Sequence, residues 1–166
     1  LWAKQSKCKR RQVGAVIAKN GRIISVGYNG LPSGYTVDGE DVCEKQIAVC
    51  PECGSADILH YDDLSHKCSK CEFIFSEVKT TLKTMHELVI HAEANAILFA
   101  AKEGISTCDC TLYVTTAPCS ECAKMIIQSG ITRVVYQDEY INGSREDGLE
   151  LMKSVGIVIE KGACDD

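Results

Sequence analysis

Long apolar runs are missing from this 166-residue chain, and none approaches the roughly 20 residues that cross a bilayer, so no spanning helix is expected. Cationic runs are missing too. The longest, Lys9-Arg-Arg11, is three residues within a formal net charge of -5. The broad basic footprint of a polynucleotide binder is therefore absent, and small anionic ligands are favoured because they need only a few local cations. No internal repeat or low-complexity tract is visible, which excludes repeat architectures. At 45% hydrophobic residues, the chain is long enough for one substantial core with a small insertion, and too short to promise two.

Cysteine is the abundant exception. Eleven cysteines permit either a disulfide scaffold or a metal protein, and spacing decides between them. Cys50/Cys53, Cys68/Cys71 and Cys119/Cys122 are all C-x-x-C pairs. Three such pairs with four histidines point to zinc in a reducing compartment.

The two apolar segments Val13-Gly-Ala-Val-Ile-Ala18 and Arg22-Ile-Ile-Ser-Val-Gly27 flank Asn20-Gly21, a strong hairpin signal, and predict two antiparallel strands. A helix is expected before Val13. From Thr111 the pattern alternates: strand Thr111 to Thr116, helix Cys119 to Gly130, strand Thr132 to Tyr136, helix Arg145 to Gly156, strand Ile157 to Ile159. Such alternation implies a mixed sheet with helical crossovers. Cys119, Cys122, Ala123, Ile126 and Ile127 mark the buried face of the first of these helices. Ser144 with Asp147 resembles a capping box for the second. His91 to Glu103 is apolar almost all round and predicts a central helix covered on more than one side. Residues 38–84 break this rhythm with two cysteine knuckles and no long periodic segment, and are read as an insertion in a single domain spanning 1–166.

His91-Ala-Glu93 and Pro118-Cys-Ser-Glu-Cys122 together match the H-x-E and P-C-x-x-C signature of zinc deaminases. Either half alone is weak. An isolated H-x-E is usually a surface or capped pair, and an isolated C-x-x-C is as often redox-active or structural. A thioredoxin-like role for Cys119 and Cys122 leaves His91 and Glu93 unexplained. A catalytic zinc needs three protein ligands and one open position, which His91, Cys119 and Cys122 supply with water as the fourth. Glu93 is then the proton shuttle, base first and acid afterwards. Separately, Cys50, Cys53, Cys68 and Cys71 form C-x2-C-x14-C-x2-C, one residue short of the usual zinc-ribbon window, and predict a structural zinc. His60 and His66 read as solvated loop residues.

On Val13-Gly-Ala-Val-Ile17, Asn20-Gly-Arg-Ile-Ile-Ser25, Gly27-Tyr-Asn-Gly-Leu-Pro-Ser-Gly34, His91-Ala-Glu-Ala-Asn-Ala-Ile97 and Ala117-Pro-Cys-Ser-Glu-Cys-Ala-Lys124, the sequence resembles the deoxycytidylate deaminase family of the cytidine deaminase superfold, especially its phage branch. The resemblance implies a three-layer α/β/α fold with a mixed five-stranded sheet, conversion of dCMP to dUMP for dTMP synthesis, and usually a homohexamer. It implies activation by dCTP and inhibition by dTTP, with Mg2+ accompanying the triphosphate, at a site lined by Tyr28, Asn29, Gly30, Leu31 and Gly34. A glycine-rich loop with exposed N–H groups suits phosphate binding, although an ordinary strand-to-loop turn has the same composition. Asn29 is alternatively a substrate-sugar contact, and Tyr140 a contact to the substrate nucleotide. Cys8, Cys43 and His86 look similar to the ligands of a further zinc in the phage branch. A cytoplasmic location follows, the host's cytoplasm for a phage-encoded chain.

Two alternatives stay open at this point. Another zinc deaminase of the same fold acts on tRNA adenosine or single-stranded DNA cytosine, which the acidic chain disfavours. A binding module whose ribbon is the working part would carry only a vestigial site, yet His91, Glu93, Cys119 and Cys122 are all present.

Overall fold

The structure, a computed structural model, describes residues 1–84, 87–139 and 143–162. The hairpin forms where the sequence places it. Strands β1 (Gly14–Lys19) and β2 (Arg22–Tyr28) pair antiparallel, and the turn between them puts both Asn20 and Gly21 at positive φ, 51° and 74°. That backbone matches the twist of the flanking strands and is cheap only for residues such as Asn and Gly.

Strands β8 (Thr111–Thr116), β9 (Arg133–Asp138) and β10 (Val158–Lys161) complete a five-stranded sheet in the order β10-β9-β8-β1-β2. β8, β9 and β10 are parallel to one another, while β1 is antiparallel to β8. Helices α2 (Ser120–Gln128) and α3 (Gly143–Ser154) make the crossovers, and α1 (Ala92–Lys102) lies against β1 and β2. All three helices share one face of the sheet, and the Trp2–Gln5 turn packs near β1 and β2. Between sheet and helices sit Ala15, Ile17, Leu112, Val114 and Val134 from the strands and Ala92, Ala96, Ile126 and Met152 from the helices. Each fully buried Ile, Leu or Met contributes about 1.5–3 kcal/mol.

Several expectations are corrected. Before Val13 the chain makes only the 3-10 turn Trp2–Gln5. Beyond it, side chains hold the backbone instead of a helix: Ser6 Oγ donates to Asn29 O at 2.7 Å, Gln12 Nε2 donates to Ser6 O at 2.7 Å, and the buried Glu44 carboxylate accepts from Lys9 N and Arg10 N at 3.0 Å each. Such bonds compete with helical ones. Helix α1 is not covered all round: Leu98 and Phe99 are 55% and 49% exposed, because only its alanine side meets the sheet. Ser144 lies in the first turn of α3, which begins at Gly143, and not at a cap.

Residues 44–84 add nothing to the main sheet, yet they contain five strands that the sequence pattern did not disclose. β3 (Glu44–Val49) and β7 (Lys79–Thr84) form a two-stranded arm. Between them β4 (Ile58–His60), β5 (His66–Cys68) and β6 (Ile74–Phe75) make a three-stranded ribbon. Its own cluster is small: Cys50, Cys68 and Phe75 with Ile58 packed against them.

The approach of β2 to α1 sets the position of that helix. Ser25 Oγ donates to Ala96 O at 2.6 Å, and Asn95 Nδ2 donates to Tyr28 O at 2.8 Å. Between these two bonds, a Cβ on Gly27 would overlap Ala92 O and Ala96 N, which are backbone atoms of the helix. Gly27→Ala is therefore expected to lower stability by about 1–3 kcal/mol through overpacking, read as a reduced urea midpoint at unchanged slope; an unchanged midpoint would show that the helix slides freely.

Candidate active site

Two helix N-termini meet at one place. His91 is the N-cap of α1 and Cys119 the N-cap of α2, both with extended backbone (φ -70°, ψ 155° and φ -77°, ψ 170°). Their carbonyls already accept helical bonds from Asn95 N at 3.0 Å and Ala123 N at 2.8 Å. Glu93 and Cys122 stand in the first turns of the same two helices. An N-cap residue and one two or three positions on can both face the point at which the helix axis aims, although they do not share a side of the cylinder. This is how His91 and Glu93, two apart in sequence, serve one site.

His91 Nδ1 lies 3.5 Å from Cys119 Sγ and 3.4 Å from Cys122 Sγ. Zinc held tetrahedrally at about 2.0–2.1 Å from nitrogen and 2.3 Å from sulfur separates such ligands by about 3.6 Å. The three side chains thus fit a zinc ion as they stand. All three potential ligand atoms fall within 4.8 Å of one another. The two thiols shift in opposite directions. The hydrogen bond from Cys122, followed by that from His91, draws Cys119 down to about 3. Cys122 is pushed up by the same bond to Cys119, then by burial and by the adjacent Glu93 carboxylate. Glu93 is 2% exposed, so its charge is held in a region where an uncompensated carboxylate is costly.

Gly148, on α3, was not singled out by sequence pattern. A Cβ there would lie 2.7 Å from Pro118 O and 2.8 Å from Cys119 C, so α3 packs directly on the loop that carries the two cysteines. A glycine inside a helical pattern is the available signal for such a contact.

In the ribbon the four cysteines also converge. Cys50 Sγ is 3.6 Å from Cys71 Sγ and Cys53 Sγ is 3.5 Å from Cys68 Sγ, close to the roughly 3.8 Å of two thiolates on one tetrahedral zinc. The two knuckles have the same backbone. Cys50 N donates to Ser55 O and Gly54 N to Cys50 O; Cys68 N donates to Phe73 O and Glu72 N to Cys68 O. The fourth residue after each first cysteine, Gly54 or Glu72, has positive φ, 71° or 61°. Backbone N–H groups of Cys71 and Lys70 outweigh burial and lower Cys68 to about 6.

The remaining candidates divide. Tyr28, Asn29, Gly30, Leu31 and Gly34 line one cavity of about 270 Å³. Lys7, Tyr35, Thr36 and Asp41, not anticipated from sequence, line it too, and Lys7 Nζ bonds Asp41 at 2.6 Å. The Asn29 amide is engaged within the fold: its Oδ1 accepts from Val13 N at 2.7 Å and its Nδ2 donates to Arg11 O at 2.9 Å. Cys8 and Cys43 are joined to each other as a disulfide. Sulfurs so bonded are not thiolate ligands, so a zinc on Cys8, Cys43 and His86 would require that pair in its reduced form. His86 and Tyr140 lie outside the described residues.

Residues 1–138 match the family model described as the cytidine and deoxycytidylate deaminase zinc-binding region. The deoxycytidylate deaminase of Enterobacteria phage T2 is 37% identical over 96% of this chain and 85% of its own, and that of phage T4 is 39% identical over 96% and 83%. Among solved structures, the dCMP deaminase of cyanophage S-TIM5 in complex with dCMP and dUMP superposes with a TM-score of 0.64 at 29% identity, covering 96% of this chain and 88% of that one. With His91, Glu93, Cys119 and Cys122 assembled as described, the chain belongs to the cytidine and deoxycytidylate deaminase family.

Proposed function

We propose that the chain hydrolyses the exocyclic amine of dCMP, giving dUMP and ammonia and so supplying dUMP for dTMP synthesis. The observation that carries this reading is the buried Glu93 beside the His91/Cys119/Cys122 cluster. The phage relatives named deoxycytidylate deaminase, and the neighbour solved with dCMP and dUMP, support the substrate.

When bound by these three side chains, zinc supplies the Lewis acidity that makes water a nucleophile near neutral pH. The carboxylate of Glu93 accepts a proton from that water as oxygen adds to the amino-bearing ring carbon. It delivers that proton to the ring nitrogen, then takes the remaining proton from the hydroxyl now on the ring carbon and passes it to the departing amine as the C–N bond breaks, so water and dCMP become dUMP and ammonia with no other reactant. Burial of Glu93 keeps bulk water from short-circuiting the transfer. The N–H groups of two helix starts favour the negative charge gathered there.

The segment 38–84 is read as a zinc-holding insertion, with Cys50, Cys53, Cys68 and Cys71 as ligands. The cavity at Tyr28 to Gly34 is read as the allosteric site for dCTP, the activator, and dTTP, the inhibitor, each with Mg2+. What supports regulation is its attachment to the catalytic helix. Gly30 N donates to Ile90 O at 3.1 Å and Ile90 N to Gly30 O at 2.8 Å, one residue before His91. Asn95 Nδ2 ties Tyr28 O to α1. A loop displacement therefore pulls directly on the helix that presents His91 and Glu93. The exposed Leu98 and Phe99 of α1 support self-association, read as a homohexamer.

Three outcomes test this. Ammonia release from dCMP should fall about 10²–10⁴-fold in Glu93→Gln with zinc content unchanged; a variant keeping a tenth of wild-type turnover would remove Glu93 from its role. Elemental analysis should give two zinc ions per chain, dropping to one in Cys53→Ser. A wild-type value near one refutes the ribbon site, and a value near three returns the reduced Cys8/Cys43 pair, with His86, to metal binding. Turnover against dCMP should be raised by dCTP and lowered by dTTP, with Lys7→Ala shifting the effector concentration needed by roughly tenfold, the scale of one charged contact. Indifference of the wild type to both triphosphates refutes the regulatory reading and leaves the deaminase intact.

A further inference from the structure

We propose that His60 and His66 form a surface binding site for a divalent late transition metal ion of the nickel(II) or copper(II) class, distinct from both cysteine centres. The two residues are cross-strand partners at the turn end of the β4/β5 hairpin. Their Nδ1 atoms face each other at 2.9 Å and the rings meet edge to face with centroids 4.7 Å apart.

The separation is compatible with such an ion. Two imidazole nitrogens at about 2.0–2.1 Å on cis positions of a square-planar or octahedral ion stand about 2.9 Å apart, whereas two on tetrahedral zinc stand about 3.3–3.4 Å apart. In the absence of metal the same contact is a single N–H···N hydrogen bond in which one ring donates and the other accepts. A metal ion replaces that one proton and takes both lone pairs, leaving its other positions to water. Nothing else in the ribbon competes for these nitrogens: the four-sulfur cluster closes on Cys50, Cys53, Cys68 and Cys71 without a histidine.

The pair is held ready. The connecting residues are ordered by their own bonds, with Tyr61 N donating to Ser65 O at 3.0 Å, Leu64 N to Tyr61 O at 3.2 Å, and Ser65 N to Asp63 Oδ1 at 2.9 Å. The His66 ring rests on Phe75 at 5.5 Å, and Phe75 stacks on Phe73. Asp63 lies within electrostatic reach of His66 and favours a cation there. Chelation would clamp the last strand pair across the loop, and pre-positioned rings lose little freedom on binding.

The test is calorimetric titration of Ni2+ into the zinc-loaded chain, since nickel(II), unlike copper(II), is not reduced by thiols. One Ni2+ per chain is expected beyond the resident zinc, and His60→Gln and His66→Gln should each weaken its binding at least tenfold while zinc content stays as in wild type. Should a variant lose zinc as well, selective paramagnetic broadening of the His60 and His66 ring protons by Ni2+ in the wild type decides instead. Absence of uptake by the wild type, binding undiminished in zinc-retaining variants, or broadening centred on other residues would overturn the proposal. The outcome is independent of whether the chain deaminates dCMP.

Discussion

The structure turns on how closely two helix starts are brought together. α1 reaches its place because β2 presents Gly27 to it and bonds it from Ser25. The loop carrying Cys119 has its place because α3 presents Gly148. Neither contact involves a reacting atom, yet both fix backbone, and backbone fixes the two N-caps at His91 and Cys119. The convergence of His91, Cys119 and Cys122 then follows from close packing, which transmits displacement where a looser interior would absorb it.

That geometry gathers acidic groups at one place. Glu93 and the two cysteine sulfurs lie together in a largely buried region. A helix N-terminus stabilises an adjacent anion by about 0.3–1 kcal/mol, whereas the burial of an unpaired ion costs several kcal/mol. Two helix starts offset only part of such a cost, and the neighbouring thiols drive each other apart, Cys119 down and Cys122 up. A divalent cation held by His91, Cys119 and Cys122 would supply positive charge at this place, and its binding to thiolates would be linked to proton release.

The chemistry was more legible in the sequence than the architecture around it. His91, Glu93, Cys119 and Cys122 announce themselves because metal coordination permits few residue types at few spacings. The Asn20-Gly21 hairpin and the alternation after Thr111 were readable for a related reason, since each element buries one face against one neighbour. Residues 44–84 resisted because their strands are short and their order comes from two knuckles rather than from periodic burial: a run such as Ile58-Leu-His60 is too brief to show a period. Leu98 and Phe99 misled, because an apolar residue in a pattern does not say whether its partner lies in the same chain. His60 and His66 lie at the surface as expected but on paired strands and not in a loop, because nothing in a linear sequence sets two residues six apart face to face until the hairpin register is known. Gly148 was silent for the opposite reason: what it makes room for lies thirty residues earlier.

The cavity at residues 28–34 and the catalytic centre are joined by main-chain bonds, and this bears on what kind of influence one can have on the other. The Gly30 to Ile90 pair exchanges two backbone hydrogen bonds, and side-chain substitution removes neither. A ligand in the cavity would therefore reach His91 by moving the loop as a whole, not by altering one side chain's contacts. The N-terminal segment shares in that movement, because Asn29 fastens it through Val13 N and Arg11 O, and Glu44 fastens it from the other side through Lys9 N and Arg10 N. Arg10 and Arg11 are thereby carried on a strip whose two anchors are the cavity loop and the first strand of the inserted arm. Loop, strip and arm form one mechanical unit resting on the start of α1. In a chain of net negative charge any anionic ligand would depend on local cations, and this unit carries Lys7, Lys9, Arg10 and Arg11 next to the loop bonded to the start of α1.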